Sequence, residues 1–169
     1  YAQDRYVTIV PEIEMPGHSR AALAAYPQFS CTIEEQGVPG LWGVFDDIFC
    51  SKEVSIHFLQ DILDEVLVLF PSQYIHVGGD EAPKVRWTKC KKCQAVMREN
   101  GIPDEHHLQS YFIQQMDKYL TKKGRKLIGW DEILEGGLSD NAAVMSWRGF
   151  EGGIDAAKQQ HFVVMSPGS

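Results

Sequence analysis

The 169-residue sequence has no apolar run approaching the roughly 20 residues of a membrane-spanning helix, no lysine- or arginine-rich stretch and no GxGxxG motif. The first absence argues against a membrane span. The net charge of −7 argues against binding to nucleic acid or an anionic membrane surface. The missing glycine motif argues against a nucleotide-binding doubly wound sheet. Internal repeats, low-complexity segments and a targeting signal are not visible either. The length and the apolar content of 44% predict one globular domain.

Cysteine is scarce, with four residues in the sequence. Cys90 and Cys93 form a CxxC pattern, but no second CxxC or HxxxH follows at the spacing of a zinc site. We therefore interpret this pair as structural, not as a metal half-site or redox pair, and expect no metal and no cofactor. Cys31 and Cys50 flank a loop that a disulfide would close in an oxidising compartment, and the sequence leaves that pairing open.

Five short apolar runs predict five strands buried on both faces, as in a parallel sheet. The runs cover residues 7–10, 74–77, 126–129, 143–146 and 162–165. Between them, apolar residues at helical spacing predict helices over 51–70, 87–100, 104–123 and 153–160, the first capped by Ser51. Strands that alternate with helices indicate βαβ units.

Acids, a histidine and tryptophans directly follow most of these runs, where the strands should end. In a (βα)8 barrel, the side chains at the carboxyl ends of the strands meet in one pocket. The predicted fold class is therefore α/β, of the (βα)8 TIM-barrel type. Five strands do not close a barrel, which usually needs about 250 residues. We expect residues 1–169 to be the central part of one, with the first and last strands missing and with exposed sheet edges that favour self-association.

The segment HVGGDE at 76–81 is the most informative of these strand ends. Its two glycines allow a sharp turn or the close approach of a ligand. Two adjacent carboxyl groups do not both ionise easily, so one pKa tends to rise and that group can serve as an acid near neutral pH. Asp80 and Glu81 are therefore the candidate catalytic residues. The alternative interpretation of this motif alone is a turn with two solvated acids.

Four motifs occur in order along the chain: PEIEMPGH (11–18), HVGGDE (76–81), GWDE (129–132) and MSWRG (145–149). Together they resemble glycoside hydrolase family 20, the β-N-acetylhexosaminidases. The resemblance implies a (βα)8 catalytic barrel, a carbohydrate substrate with a β-linked terminal N-acetylglucosamine or N-acetylgalactosamine, and a periplasmic, secreted or lysosome-like compartment. It also implies substrate-assisted retaining catalysis, in which the 2-acetamido oxygen attacks the anomeric carbon.

The resemblance assigns a role to five residues. Glu81 is the general acid that protonates the leaving oxygen and then the base that activates water. Asp80 holds the acetamido N–H and stabilises the positive charge of the oxazolinium-like intermediate. Trp130 and Trp147 resemble the pocket walls around the sugar, and His18 resembles the histidine that contacts the catalytic glutamate.

Other polar residues of these motifs are given lesser roles. Glu14 is a further substrate-binding candidate at a position where many relatives carry aspartate, so its extra methylene alters the contact distance. Asp131 and Glu132 are expected to orient the pocket. His76 is expected to be buried and hydrogen-bonded. His106 is interpreted as a surface residue on a helix remote from the strand ends.

Two other functions compete with this interpretation. A metal-dependent barrel hydrolase would use His18, Asp80, Glu81 and Asp131 as ligands, but no HxH follows the first run. A sugar-binding protein without chemistry would need the tryptophan walls but not both Asp80 and Glu81. The arginine, tyrosine and further acids that complete the family's pocket are not among the four motifs. The segment alone is therefore expected to have little or no activity.

Overall fold

The structure is a computed structural model that describes residues 1–32 and 37–168. Its centre is one parallel four-stranded sheet in which the strands follow one another in chain order. The strands are β1 (Tyr74–His76), β2 (Lys126–Trp130), β3 (Ala143–Ser146) and β4 (Val163–Met165). A sequential parallel sheet with helical crossovers is the arrangement of a (βα)8 barrel. With four strands, this one is an incomplete barrel, which confirms the predicted fold class.

The first predicted strand, over 7–10, is wrong in its position. The hydrogen bonds between the N-terminal segment and β1 begin only at Pro11. The His76 N–H donates to the Pro11 carbonyl at 2.9 Å, and the Ile13 N–H donates to the His76 carbonyl at 2.9 Å. Val7 and Ile9 are 55% and 47% exposed. An apolar run predicts an extended segment, but the hydrogen bonds to the neighbouring strand decide where pairing starts. Here the motif that follows the run makes those bonds.

Six helices connect the strands or precede them in the described residues. They are α1 (Arg20–Ala25), α2 (Glu53–Leu69), α3 (Val85–Lys89), α4 (Lys91–Asn100), α5 (Glu105–Lys122) and α6 (Glu151–Lys158). The predictions for α2, α5 and α6 hold to within two residues at each end. Ser51 was expected to cap α2, but Lys52 occupies that position and Ser51 is buried before it. Asp104 caps α5 by accepting a hydrogen bond from the His107 N–H at 2.9 Å.

The single helix predicted over 87–100 is two helices, α3 and α4, separated by Cys90. The backbone of Cys90 is extended, with φ −81° and ψ 112°, so the helical hydrogen bonding stops there. Trp87 holds the first helix in place, because its fully buried indole donates to the Phe49 carbonyl at 2.8 Å. Apolar periodicity continues across the break, which is why the pattern gave no sign of it.

The main core lies between the sheet and the helices, where α5 packs against both β2 and α2. Leu59 and Leu63 of α2, Phe112 and Leu120 of α5 and Ile75 of β1 are at most 1% exposed. Each such side chain contributes about 1.5–3 kcal/mol through its burial. This packing fixes the carboxyl ends of β1 and β2 side by side. None of the described helices has the length and apolar content that crossing a membrane requires.

Candidate active site

The turn after β1 places two acids at the edge of the sheet. Gly78 and Gly79 have φ angles of 68° and 97°, a region that side chains other than glycine rarely adopt. Gly78 also has no room for a side chain, because an added Cβ would lie 1.9 Å from a carboxylate oxygen of Glu14. The two glycines therefore turn the chain tightly against Glu14. Asp80 and Glu81 follow this turn at the strand end, as the sequence predicted.

His18 lies between these two acids. Its Nε2 is 3.2 Å from Asp80 Oδ2 and 3.4 Å from Glu81 Oε2. The side chain of Asp80 is 16% exposed and that of Glu81 is 37% exposed. One imidazole thus contacts two neighbouring carboxyl groups, of which Glu81 is the more open to a ligand. The structure brings together three of the six predicted site residues within hydrogen-bonding distance.

Glu14 lies behind this trio. Burial, together with the negative charge of Asp80 and a hydrogen bond with Glu12, raises the pKa of Glu14 to about 9. Glu14 Oε2 and Asp80 Oδ1 are buried without a hydrogen-bond partner among the described residues. The site therefore holds a crowded group of carboxyl groups with unused acceptor atoms, and Glu14 is protonated near neutral pH.

Trp130 and Trp147 are neighbours at the carboxyl ends of β2 and β3 and pack edge to face. Their ring centroids are 6.5 Å apart and their planes are inclined at 70°. The Trp130 indole donates to Glu12 Oε1 at 2.8 Å, and the Trp147 indole donates to Glu132 Oε2 at 3.0 Å. These bonds fix both rings and leave parts of their apolar faces free, which suits a wall for a sugar ring.

Asp131 is the centre of a second acid group, behind Trp147. Its carboxylate accepts hydrogen bonds from the Ser146 hydroxyl at 3.2 Å and from Arg148 Nε at 2.8 Å. Arg148 Nε also lies 3.6 Å from Glu132 Oε1. Asp131 is 2% exposed, so this network is closed to solvent on its carboxylate side. The prediction that Asp131 and Glu132 orient neighbouring groups is consistent with these contacts.

A cleft of about 440 Å³ opens beside Glu81. Its other charged and aromatic lining residues are Lys84, His106, Glu132, Glu135, Trp147 and Arg148. Glu81 and Trp147 therefore share one hollow. The sequence predicted that Asp80, His18 and Trp130 would line the same hollow, but they are not among its lining residues. The interpretation of His106 as remote from the strand ends was wrong, because it lines this cleft and its Nδ1 lies 3.0 Å from Glu135 Oε2.

Three residues near the site were missed from the sequence. Glu12 accepts the Trp130 hydrogen bond, and Arg148 binds both acids of the second group. Gln109, only 1% exposed on α5, donates to the Gly79 carbonyl at 2.7 Å and so holds the turn after β1. The signal for Gln109 was available, since a polar side chain at a buried position of an apolar helix needs a specific partner.

The two remaining predictions concern buried groups and metal ligands. His76 is 3% exposed and its Nδ1 accepts a hydrogen bond from the Gly78 N–H at 3.1 Å, which confirms the prediction for it. Burial lowers the pKa of His76, so its ring is neutral near pH 7. His18, Asp80 and Glu81 have potential ligand atoms within 4.8 Å of one another. Asp131, the fourth ligand of the metal hypothesis, is bound to Arg148 and Ser146 instead.

Comparison with known proteins identifies the family. The model of the glycosyl hydrolase family 20 catalytic domain matches residues 1–169. A beta-hexosaminidase of Porphyromonas gingivalis is 58% identical over 170 residues, covering 100% of this chain and 22% of that protein.

Two solved structures are similar to the fold. The chitobiase of Flavobacterium johnsoniae superposes with a TM-score of 0.90 at 37% identity, covering 99% of this chain and 27% of that one. An exo beta-N-acetylglucosaminidase of Vibrio harveyi in complex with N-acetylglucosamine superposes with a TM-score of 0.83 at 32% identity, covering 97% and 26%. The chain thus spans less than a third of the length of each of these relatives. It belongs to glycosyl hydrolase family 20, whose catalytic domain it represents as an incomplete (βα)8 barrel.

Proposed function

We propose that this chain is the central part of a catalytic barrel, and that the complete barrel hydrolyses terminal non-reducing N-acetylhexosamine residues from β-linked glycosides. The observation that carries the proposal is the contact of His18 Nε2 with both Asp80 and Glu81, at 3.2 and 3.4 Å, beside a cleft lined by Trp147. The family of the chain and the N-acetylglucosamine complex of the Vibrio harveyi relative support this substrate class.

In the first step, the sugar itself supplies the nucleophile. The carbonyl oxygen of the 2-acetamido group forms a bond to the anomeric carbon while the glycosidic bond breaks. Glu81 donates its proton to the departing oxygen, so that the aglycone leaves as an alcohol. Glu81 suits this role because its carboxyl is the more exposed of the pair and faces the cleft.

Asp80 acts on the charge that develops during this step. The oxazolinium-like ring carries positive charge and an N–H group, and an ionised carboxylate stabilises both. Asp80 Oδ1 is buried and accepts no N–H hydrogen bond from the described residues. The protonated Glu14 carboxyl forms a hydrogen bond with Asp80, and the remaining acceptor capacity of Asp80 suits a substrate N–H. In the second step Glu81, now ionised, takes a proton from water, which attacks the anomeric carbon and restores the β configuration.

His18 and the tryptophans position these groups. His18 contacts both acids and so holds them in place relative to each other. Trp130 and Trp147 form the apolar walls for one sugar face and the acetamido methyl, held in place by Glu12 and Glu132.

The experiment that tests the proposal is the Glu81→Gln variant of the complete barrel, assayed with an unactivated N-acetylglucosaminide. Loss of the general acid should lower kcat by about a hundredfold to ten-thousandfold and leave the affinity for N-acetylglucosamine unchanged. Glu99→Gln, on the exposed side of α4, is the matched control and should keep the full rate. A substrate with a trifluoroacetamido group should react more slowly with the wild type, because fluorine withdraws electrons from the attacking oxygen.

Three outcomes would contradict the proposal. Turnover that is unaffected by Glu81→Gln would remove the catalytic role of this residue. A wild-type protein that binds the sugar but never cleaves it would favour the alternative of a sugar-binding protein. An undiminished rate with the trifluoroacetamido substrate would argue for a nucleophile from the protein.

The isolated 169-residue segment should behave differently from the complete barrel. We expect little or no turnover of a fluorogenic N-acetylglucosaminide, since four strands supply only part of a barrel pocket. We also propose that it self-associates through the edge strand β4, whose Met165 is 44% exposed, and through the extended segment before the pairing with β1, where Val7, Ile9 and Val10 are at least 43% exposed. Light scattering that shows a monomer at high concentration would refute the second proposal, and turnover comparable to a complete relative would refute the first.

A further inference from the structure

All four cysteines of the chain converge at one place away from the acids of the active site. Cys31 follows the short 3-10 helix Pro27–Phe29, Cys50 precedes α2, and Cys90 and Cys93 lie at the start of α4. Their sulfur atoms all lie within 4.8 Å of one another. Three separate segments thus contribute thiols to a single cluster.

The sulfur–sulfur distances match a tetrahedral metal site. Cys50 Sγ is 3.5 Å from Cys93 Sγ and 3.9 Å from Cys90 Sγ, and Cys31 Sγ is 3.6 Å from Cys93 Sγ. Four sulfurs at 2.3 Å from a central zinc ion would be about 3.8 Å apart. A disulfide needs about 2.05 Å, so these pairs would have to close by about 1.5 to 1.9 Å. The cluster accommodates a cation with less rearrangement than a pair of disulfides.

The backbone around the cluster holds the thiols in place. The Cys50 N–H donates to the Phe29 carbonyl at 2.9 Å, which ties the two loop segments that carry Cys31 and Cys50. The extended conformation of Cys90 interrupts the helix and allows both sulfurs of the CxxC to reach the same point. Cys50 and Cys93 are fully buried and Cys90 is 7% exposed. Cys31 is half-buried. The cluster is therefore a group of soft ligands of which three are buried.

The electrostatics of the cluster favour ionised sulfur. Cys90 and Cys93 lie at the N-terminus of the ten-residue helix α4, whose dipole stabilises negative charge. A thiolate is the form that ligates a metal.

We propose that Cys31, Cys50, Cys90 and Cys93 bind one structural Zn²⁺ ion. Four thiolates in tetrahedral arrangement select zinc among the common divalent cations, and a site with four protein ligands leaves no open position for catalysis. The ion would join the loop that ends at Cys50 to the start of α4. That loop carries Asp47, whose carboxylate binds Arg86 of α3 at 3.0 Å and Arg20 of α1 at 3.5 Å. The zinc ion would therefore stabilise a loop that is already tied to α1 and α3.

Only half of this site could be recognised from the sequence. The CxxC of Cys90 and Cys93 was visible. Its two partners, Cys31 and Cys50, precede it in the chain and are far apart in sequence, so they form no second CxxC. Zinc-site patterns search for two close pairs, whereas here two single cysteines are brought together by the pairing of Ser30 with Phe49.

The first test measures metal in the protein purified without added reductant or chelator. We expect about one zinc ion per chain, and replacement by Co²⁺ should give the intense thiolate charge-transfer and d–d absorption of tetrahedral sulfur ligation. Removal of the metal with a chelator should lower the thermal midpoint by about 5 °C or more. Added Zn²⁺ should restore it and protect all four thiols from alkylation.

Variants locate the ion. Cys93→Ser should lose zinc to background, whereas His18→Ala, which removes a ligand from the separate group of His18, Asp80 and Glu81, should retain it. If Cys93→Ser does not fold, the cobalt spectrum and thiol protection of the wild type still decide. Four reactive thiols with no uptake of Zn²⁺ would overturn the proposal. Two disulfides in mass spectra, or zinc lost in His18→Ala but kept in Cys93→Ser, would overturn it as well.

Discussion

The acid groups at the ends of β1 and β2 are neighbours in space but differ in how their charge is balanced. After β1, Asp80 and Glu81 contact one imidazole, that of His18, and Glu14 lies against the glycine turn of the same group. After β2, the two acids Asp131 and Glu132 face the guanidinium of Arg148. The first group carries unused acceptor atoms on Glu14 and Asp80, and the carboxylate of Asp131 in the second is saturated with donors.

The pKa values of the two groups reflect this difference. For Glu14, burial and the charge of Asp80 act in the same direction and raise the pKa to about 9. For Glu132, burial also raises the pKa, but the hydrogen bond from Trp147 and the charge of Arg148 oppose it. An incompletely balanced group is suited to bind a substrate or exchange a proton, whereas a balanced one is suited to fix geometry. Similar acids at equivalent strand ends thus serve different purposes.

In this comparison, the largest effect should come from neutralising one acid of each group in the complete barrel. Asp80→Asn should lower kcat by about a hundredfold to a thousandfold, because it removes the negative charge that the cationic intermediate needs. Asp131→Asn should lower kcat by less than about tenfold but reduce stability by about 1–3 kcal/mol, since Arg148 loses the nearest of its charged partners, at 2.8 Å. Steady-state kinetics and chemical unfolding measure the two effects.

The comparison fails if the two variants behave alike. Equal losses of kcat would mean that the Asp131–Arg148 pair takes part in the chemistry. Equal losses of stability with normal rates would mean that Asp80 is a structural residue. The His18→Ala variant adds a check, because its loss of kcat should resemble that of Asp80→Asn more than that of Asp131→Asn.

Much of the acid group after β1 could be predicted from the sequence, because its residues are contiguous. Asp80 and Glu81 adjoin the glycines that turn the chain, and His18 ends a motif of its own that follows the first extended segment. The contacts of Arg148 and Gln109 could not be predicted in this way. They depend on which helix face or strand end lies opposite, and that is decided by tertiary packing.

The limits of the secondary-structure prediction have a similar cause. Helices α2 and α5 followed from their apolar spacing, since that spacing is a property of the helix alone. The break at Cys90 and the late start of pairing at Pro11 involve partners distant in sequence, Phe49 and His76. The convergence of the four cysteines is a further case, because the folded loop and not the spacing defines it.

A substitution at Gly78 should show how tightly the group after β1 is packed. Gly78→Ala should cost about 2–4 kcal/mol, because the residue has φ 68° and its new Cβ would lie 1.9 Å from Glu14 Oε2. Gly124→Ala is the matched control, with φ 72° and nothing within 4 Å, and should cost about 1 kcal/mol. Thermal or chemical unfolding measures both. Adding Glu14→Ala to Gly78→Ala should recover part of the difference, and no recovery would show that the carboxylate is not the obstacle.

The smallest predicted effect is a change in the pH dependence of stability on replacing Glu14. The folded protein holds a proton on Glu14 up to a pKa of about 9, whereas the unfolded chain releases it near 4.5. The wild type should therefore lose stability as the pH rises through this window, because the unfolded state binds fewer protons. Glu14→Gln should flatten the curve and be more stable than the wild type at pH 8, by a margin that grows as the pH approaches the folded-state pKa. Glu132→Gln, in the balanced group, should show no such gain, because it removes the carboxylate near Arg148. Parallel curves for wild type and Glu14→Gln between pH 5 and pH 8 would mean that Glu14 ionises normally, and the contrast between the two acid groups would then rest on geometry alone.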